Sequence, residues 1–204
     1  MATFRSVAAV ADEFRGAPPA ARRIIGITGP PGAGKSTIAE QLVQRLDAAA
    51  LLPMDGFHLP QARLIALGRR ERMGAPDTFD IDAFVETLAR VRRDATVLAP
   101  GFDRQIEEPV DAAITIAPSV RTVVVEGNYL LLDSAGWERV APLIDVSFFV
   151  RVDDGIRHDR LFARHVRYGK SETDARAWAL GPDETNARLI AASAGRADHV
   201  IEFP

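Results

Sequence analysis

Apolar positions recur along the chain in two alternating rhythms: short β-branched runs, and longer stretches at helical spacing. Arg23–Thr28 (RIIGIT) is a compact apolar run of the kind that fills a buried strand of a parallel sheet. Residues 50–55 (ALLPMD) predict a second strand, ragged at Pro53. Residues 122–126 (TVVVE) are the clearest strand, 144–152 (IDVSFFVRV) the next, and 199–203 (HVIEF) close the series. Shorter strands are predicted near 96–98 and 112–116. Between the strands, a period of 3.6 predicts helices over about 36–48, 61–67, 81–93 and 154–168. Asp80 or Asp82 can cap the third of these. Residues 3–14 predict a leading helix, ended by Gly16 and the Pro18-Pro19 pair. Ser171-Glu-Thr-Asp174 reads as a capping box opening a last helix to about Ala192.

Strands alternating with helices imply right-handed crossovers and a mostly parallel central sheet with helices on both faces. The 204 residues suit one such domain, and no repeat, low-complexity tract or linker divides them. In a sheet of this kind ligands bind beyond the carboxyl ends of the strands. The residues predicted there carry the chemistry.

Gly29-Pro-Pro-Gly-Ala-Gly34-Lys35-Ser36 fits G-x-x-x-x-G-K-[ST], with a strand before it and a helix after it. The four fixed positions coincide by chance in roughly one chain of this composition in a thousand. Such a loop turns backbone N–H groups around phosphate oxygens, and the helix N-terminus adds its positive end. The loop over 29–37 is therefore expected to bind ATP through Gly29, Gly32, Ala33, Gly34, Lys35, Ser36 and Thr37. Lys35 would reach the β- and γ-phosphates, and the Ser36 hydroxyl would hold Mg²⁺. The expected fold class is α/β, a P-loop NTPase three-layer sandwich with a short helical lid.

The loop alone does not separate kinases, GTPases and mechanical ATPases. The N/T-K-x-D signature of guanine recognition is absent, since Lys35 and Lys170 are the only lysines. A compact kinase fits best. Asp55, in Asp-Gly-Phe-His, stands at a predicted strand end and could accept a proton from an incoming hydroxyl; taken alone, Asp-Gly is a turn. Glu126 ends TVVVE, where a carboxylate that organises Mg²⁺ belongs. Which of the two is base and which serves the metal is open at this level. Arg157, Arg160, Arg164 and Arg167 share one helical face. That face is either a solvated stripe or a lid over about 154–171, hinged at Gly169, whose Arg160 and Arg164 meet phosphate.

Composition narrows the classes. Twenty-five basic against 28 acidic side chains leave a formal charge of −3, which argues against a nucleic-acid partner. The absence of cysteine excludes disulfides, thiolate zinc sites and thiol catalysis. No apolar run approaches the roughly 18 residues of a membrane span, and the N-terminus lacks the apolar core of a signal peptide. A cytoplasmic enzyme is expected, and a homo-oligomer is compatible with the composition.

The sequence resembles the uridine kinase, phosphoribulokinase and pantothenate kinase branch of the P-loop kinases. The residues that carry the likeness are GPPGAGKST from Gly29, DGFH from Asp55, APDTFD from Ala75, PGFDR from Pro100, EGNYL from Glu126, and Arg160-Leu161 with Arg164. The pairing of DGFH with EGNYLLL is most similar to bacterial proteins labelled fructose transport system kinases. Uridine kinases typically carry D-S-F-Y and P-x-Y-D at these two places. The resemblance implies ATP-dependent transfer to a hydroxyl of a small metabolite, with Asp55 as base and the lid arginines on phosphate. It also implies an acceptor pocket lined by His58, Asp77, Arg104 and Tyr129. A sugar is the expected acceptor. A nucleoside or pantothenate-type acceptor is the alternative, and an ATP-binding regulatory module without turnover is a second.

Overall fold

The computed structural model describes residues 1–16 and 21–203, so Pro18 and Pro19 lie outside the described residues. The strands are β1 (Ala2–Phe4), β2 (Arg23–Thr28), β3 (Ala49–Pro53), β4 (Val97–Asp103), β5 (Glu108–Ile116), β6 (Thr122–Gly127), β7 (Val146–Arg151) and β8 (His199–Glu202). The helices are α1 (Val7–Asp12), α2 (Lys35–Arg45), α3 (Gln61–Ala66), α4 (Ile81–Arg93), α5 (Asp154–Arg167), α6 (Glu172–Leu180) and α7 (Pro182–Ala191). Six strands form one parallel sheet in the order β1-β8-β7-β2-β6-β3. Along β2 and β6 the side chains alternate between two cores. Ile25, Ile27 and Val124 pack under α1 and α2, while Ile24, Val123 and Val125 pack with Phe84, Leu88 and Ile190 of α4 and α7. The result is a three-layer α/β sandwich, as the periodicity predicts. No described helix is long and apolar enough to cross a membrane.

Four expectations change. The leading helix begins at Val7, where Ser6 caps it by accepting from Ala9 N at 3.1 Å. Residues 2–4 instead extend the sheet beside β8, a pairing no local pattern announces. The last helix is two, because Pro182 offers no N–H to the preceding turn and α7 restarts after Gly181. The two short strands near 96–98 and 112–116 lengthen into β4 and β5, an antiparallel hairpin separate from the main sheet. Of the two expected caps of α4, Asp80 is the one used, accepting from Ala83 N at 3.0 Å.

Two arginines tie the layers together. Arg22 donates to five carbonyls, those of Val91, Asp94, Ala95, Ala117 and Val120, at 2.9–3.2 Å. It joins the end of α4 to the strand that leaves the hairpin. Arg157, read from the sequence as one member of a helix-face stripe, is only 1% exposed. Its guanidinium is paired with Glu184 of α7 and bonds Asp154 at 3.1 Å. The stripe is therefore not uniform.

This buried pair sets a stability prediction. The bond to Arg157 holds the Glu184 carboxyl down to about 2, with burial opposing and His158 and Arg188 assisting. A depressed carboxylate stabilises the fold above its ordinary value of 4.5, and that contribution fades as pH falls toward about 2. Glu184→Gln should lower the urea-unfolding free energy by about 2 kcal/mol at pH 7, since it strands a buried guanidinium. Near pH 3 the gap between the two proteins should narrow. A gap of equal size at both pH values would show that the carboxylate charge is not its source.

Candidate active site

The phosphate loop leaves β2 at Gly29 and ends where α2 begins. Gly32 and Gly34 take φ of +80° and +89°, and Gly34 serves as the helix cap. Gly32 also packs closely under α5: a Cβ there would lie 2.7 Å from the Arg157 carbonyl oxygen and 3.0 Å from Leu161 Cγ. Ala33 is buried beside it, and Thr37 is exposed on the first turn of α2. Lys35 is 8% exposed, and its Nζ donates to the Pro30 carbonyl at 2.9 Å. Burial lowers its pKa to about 8, against the opposing charges of Glu126 and Asp55.

Two carboxylates stand beyond the strand ends. Asp55 lies two residues past β3, in a 3₁₀ turn over Met54–Phe57. Gly56 makes that turn possible by contact, not by its dihedral angles: a Cβ would come within 2.2 Å of the Pro100 carbonyl oxygen on β4. Asp55 Oδ2 accepts from Arg104 Nη2 at 2.6 Å, at the tip of the β4–β5 hairpin. Burial pushes the Asp55 carboxyl up, but Arg104 and further positive charges outweigh it and hold it below its ordinary value. Glu126, on β6, is 5% exposed and accepts from Ser36 Oγ at 3.3 Å. Burial, and then the charge of Asp55, push it up to about 7. The two carboxylates are thus shifted in opposite directions.

A cavity of about 550 Å³ joins these groups. Lys35, Ser36, Glu126, Asp55, His58, Arg104 and, from α5, Arg164 are among its lining residues. His58 stacks on Phe79 with ring centroids 3.9 Å apart, and burial lowers its pKa. Arg164 makes no ion pair among the described residues, whereas Arg160 is exposed with Nη1 3.5 Å from the Gly32 carbonyl. Arg157 turns inward, and Arg167 outward over Tyr168.

Two of the expected pocket residues do not line the cavity. Tyr129 is fully buried, packed on Trp137 and Phe79, and its hydroxyl donates to the Gly74 carbonyl. Asp77 is paired with Arg69 and Arg72. Both side chains are satisfied where they are. Conversely, Gln61 of α3, Arg70 of the turn after it and Glu107 of the hairpin tip reach the lining, as do His165 of α5 and Asp183 and Asn186 of α7. The sequence marks none of these, because no local motif or period ties them to the phosphate loop.

A phosphate loop, a carboxylate pair and an arginine-bearing helix around one cavity can be compared with known proteins. The family model described as "Phosphoribulokinase / Uridine kinase family" matches residues 24–175. The chain belongs to that family. The phosphoribulokinase/uridine kinase match spans the phosphate loop, both carboxylates and helix α5. Among relatives, YggC of Escherichia coli (strain K12) is 35% identical over 192 residues, 91% of this chain and 79% of its own length. "Putative uridine kinase C227.14" of Schizosaccharomyces pombe is 32% identical over 168 residues, 76% of this chain and 72% of its own. Among solved structures, a "putative fructose transport system kinase" from Silicibacter sp. TM1040 superposes with a TM-score of 0.89 at 34% identity, covering 98% of this chain and all of that one. The fold is that of the P-loop kinases.

Proposed function

We propose that this protein transfers the γ-phosphoryl group of ATP to a hydroxyl of a small, sugar-like metabolite. The observation that carries this reading is the Asp55–Arg104 pair lining the same cavity as Lys35. A phosphate acceptor would need no carboxylate beside it, whereas a neutral hydroxyl must shed a proton during transfer. Asp55, ionised at neutral pH, is suited to orient that hydroxyl and take the proton. Arg104 would then pass from Asp55 to the acceptor. Ser36 and Glu126 fit Mg²⁺: two oxygen donors lie 3.3 Å apart, and one is a buried carboxylate whose raised pKa a cation would reverse. When bound, the ion would neutralise charge on the β- and γ-phosphate oxygens.

Two of the aromatic rings in the lining are already covered, Phe79 by His58 and Trp178 by Lys170 with Nζ 4.2 Å from its centroid, so stacking on a nucleobase would fall to Phe102 and Tyr168. The name of the Silicibacter structure points toward a sugar, and that of the S. pombe relative toward a nucleoside. An ADP-release screen over hexoses, pentoses, uridine and pantothenate tests the reading. Stimulation by a sugar is expected. Turnover with uridine alone would replace the sugar by a nucleoside, and ATP binding without any stimulation would favour a regulatory module.

The lid arginines divide into two expectations. Arg164→Ala should lower kcat by about 10²-fold with a smaller effect on ATP binding, because its uncommitted charge faces the reacting end of the cavity. Arg160→Ala should act chiefly on ATP affinity, through its place over the phosphate loop. Arg167→Ala is the surface control, a role Arg157 cannot serve once it is known to be buried. Equal, small effects at Arg160, Arg164 and Arg167 would make the helix a solvated face.

A further inference from the structure

One wall of the cavity has no task in phosphoryl transfer. Near the end of α5, His165 Nε2 lies 2.7 Å from Asp183 Oδ2, at the start of α7. Their side chains are only 13% and 10% exposed, yet both line the cavity. The hydrogen bond from His165 occupies Oδ2, and Oδ1 has no hydrogen-bond partner among the described residues but keeps accessible surface on the cavity side. An ionised carboxylate oxygen open to a cavity can accept a hydrogen bond from a ligand there.

The pair is not needed to seat α7. The neighbouring Glu184 already ties that helix to Arg157, Ala187 and Ile190 anchor it in the core, and Asn186 Nδ2 reaches the Gly74 carbonyl at 3.4 Å. Nor is Asp183 remote from the reacting end. Both it and Asp55 line the one cavity, and burial raises the pKa of the Tyr129 hydroxyl with the charges of Asp183, Asp55 and Asp77 adding to it. A second open position lies in the lining: His58 is 9% exposed, and its Nδ1 has no partner. Two polar side chains with unfilled hydrogen-bonding capacity therefore meet the cavity that also holds Asp55.

We propose that Asp183, oriented by His165, is a specificity-determining subsite that accepts a hydrogen bond from a second hydroxyl of the acceptor. The preferred substrate is then a polyhydroxy compound, bound by one hydroxyl at Asp55 and by another at Asp183, with His58 between them. A monohydroxy alcohol leaves Oδ1 unpaired and is rejected for that reason. The inference rests on the reading that this cavity takes the acceptor, and it names which part of the acceptor is read. His165 is a positioning residue.

The test uses the full chain with ATP and the same sugar, uridine and pantothenate panel. For the compound that turns over, Asp183→Ala should raise the acceptor KM at least about tenfold, while kcat and the KM for ATP change less than about threefold. Asp183→Asn, the same size, guards against a folding defect and should shift KM in the same direction by less. His165→Gln still offers an N–H to Asp183 and should raise KM by under about fivefold. A deoxy analogue lacking the second hydroxyl should bind wild type and Asp183→Ala equally poorly, since the partner is already gone. An acceptor KM within about twofold of wild type in both Asp183 variants overturns the subsite and leaves the sugar reading standing. A tenfold shift with uridine, and no turnover of any sugar, overturns the sugar reading and keeps the subsite. If no compound of the panel turns over, both are overturned.

Discussion

Lys35→Met is expected to lower ATP turnover by at least about 10²-fold, the scale on which one preorganised charge on a transferring group is worth. Methionine keeps much of the stem that fills the buried site and removes only the ammonium. The choice matters because Lys35 is 8% exposed and its Nζ rests on the Pro30 carbonyl. Alanine would mix a packing loss into the result. In the structure the ammonium folds back over its own loop, so it must swing from Pro30 to the incoming phosphates when ATP binds. Affinity for ATP should therefore fall less than kcat, because part of the new contact replaces an old one. Steady-state kinetics, ATP titration and a thermal melt on the same variant check this. Turnover within tenfold of wild type, with the melt unchanged, would remove the phosphate-loop assignment.

Asp55→Asn should lower kcat by about 10²-fold, with ATP affinity unchanged or tighter. The substitution keeps the size of the side chain and an oxygen for Arg104, and removes the ability to take a proton. General-base catalysis typically contributes ~10²–10⁴, and a loose phosphoryl-transfer transition state calls for proton removal late, which places the effect at the lower end. The surroundings shape the expectation further. Arg104 bonds Asp55 at 2.6 Å and keeps it ionised, so the carboxylate is a well-oriented acceptor of modest basicity. Losing its charge also removes a negative neighbour of the γ-phosphate site, which is why ATP should not bind more weakly. Acceptor KM should rise modestly, since the amide oxygen still accepts. A kcat within threefold of wild type would return Asp55 to the role of a turn residue and make Glu126 the next candidate base.

Much of this was legible in the residues themselves, for local reasons. The order of strands and helices follows from apolar period, and β2, α2 and α4 stand close to where that period puts them. The phosphate loop is legible because its chemistry is local: glycines, a lysine and a serine must be neighbours to wrap one phosphate chain. Asp55 and Glu126 were legible by a longer step, since a parallel sheet brings strand ends to one side regardless of their distance in sequence.

What the sequence could not decide is what each charged side chain meets. Arg157, Arg160, Arg164 and Arg167 look alike along one helix face, yet one is buried on Glu184, one lies over Gly32, one faces the cavity and one faces solvent. Their difference comes from what each meets in three dimensions: Glu184 of α7 for Arg157, the phosphate loop for Arg160 and the Tyr168 ring for Arg167. The same holds for Tyr129 and Asp77, whose partners at Gly74, Arg69 and Arg72 lie in a stretch with no clear period, and for β1, a strand only because β8 lies beside it. Hydrophobic rhythm is a property of neighbouring residues and can be read along the chain. A buried ion pair, a filled hydrogen bond or an edge pairing is a property of two segments whose meeting is decided by the packed core, and only the tertiary structure shows it.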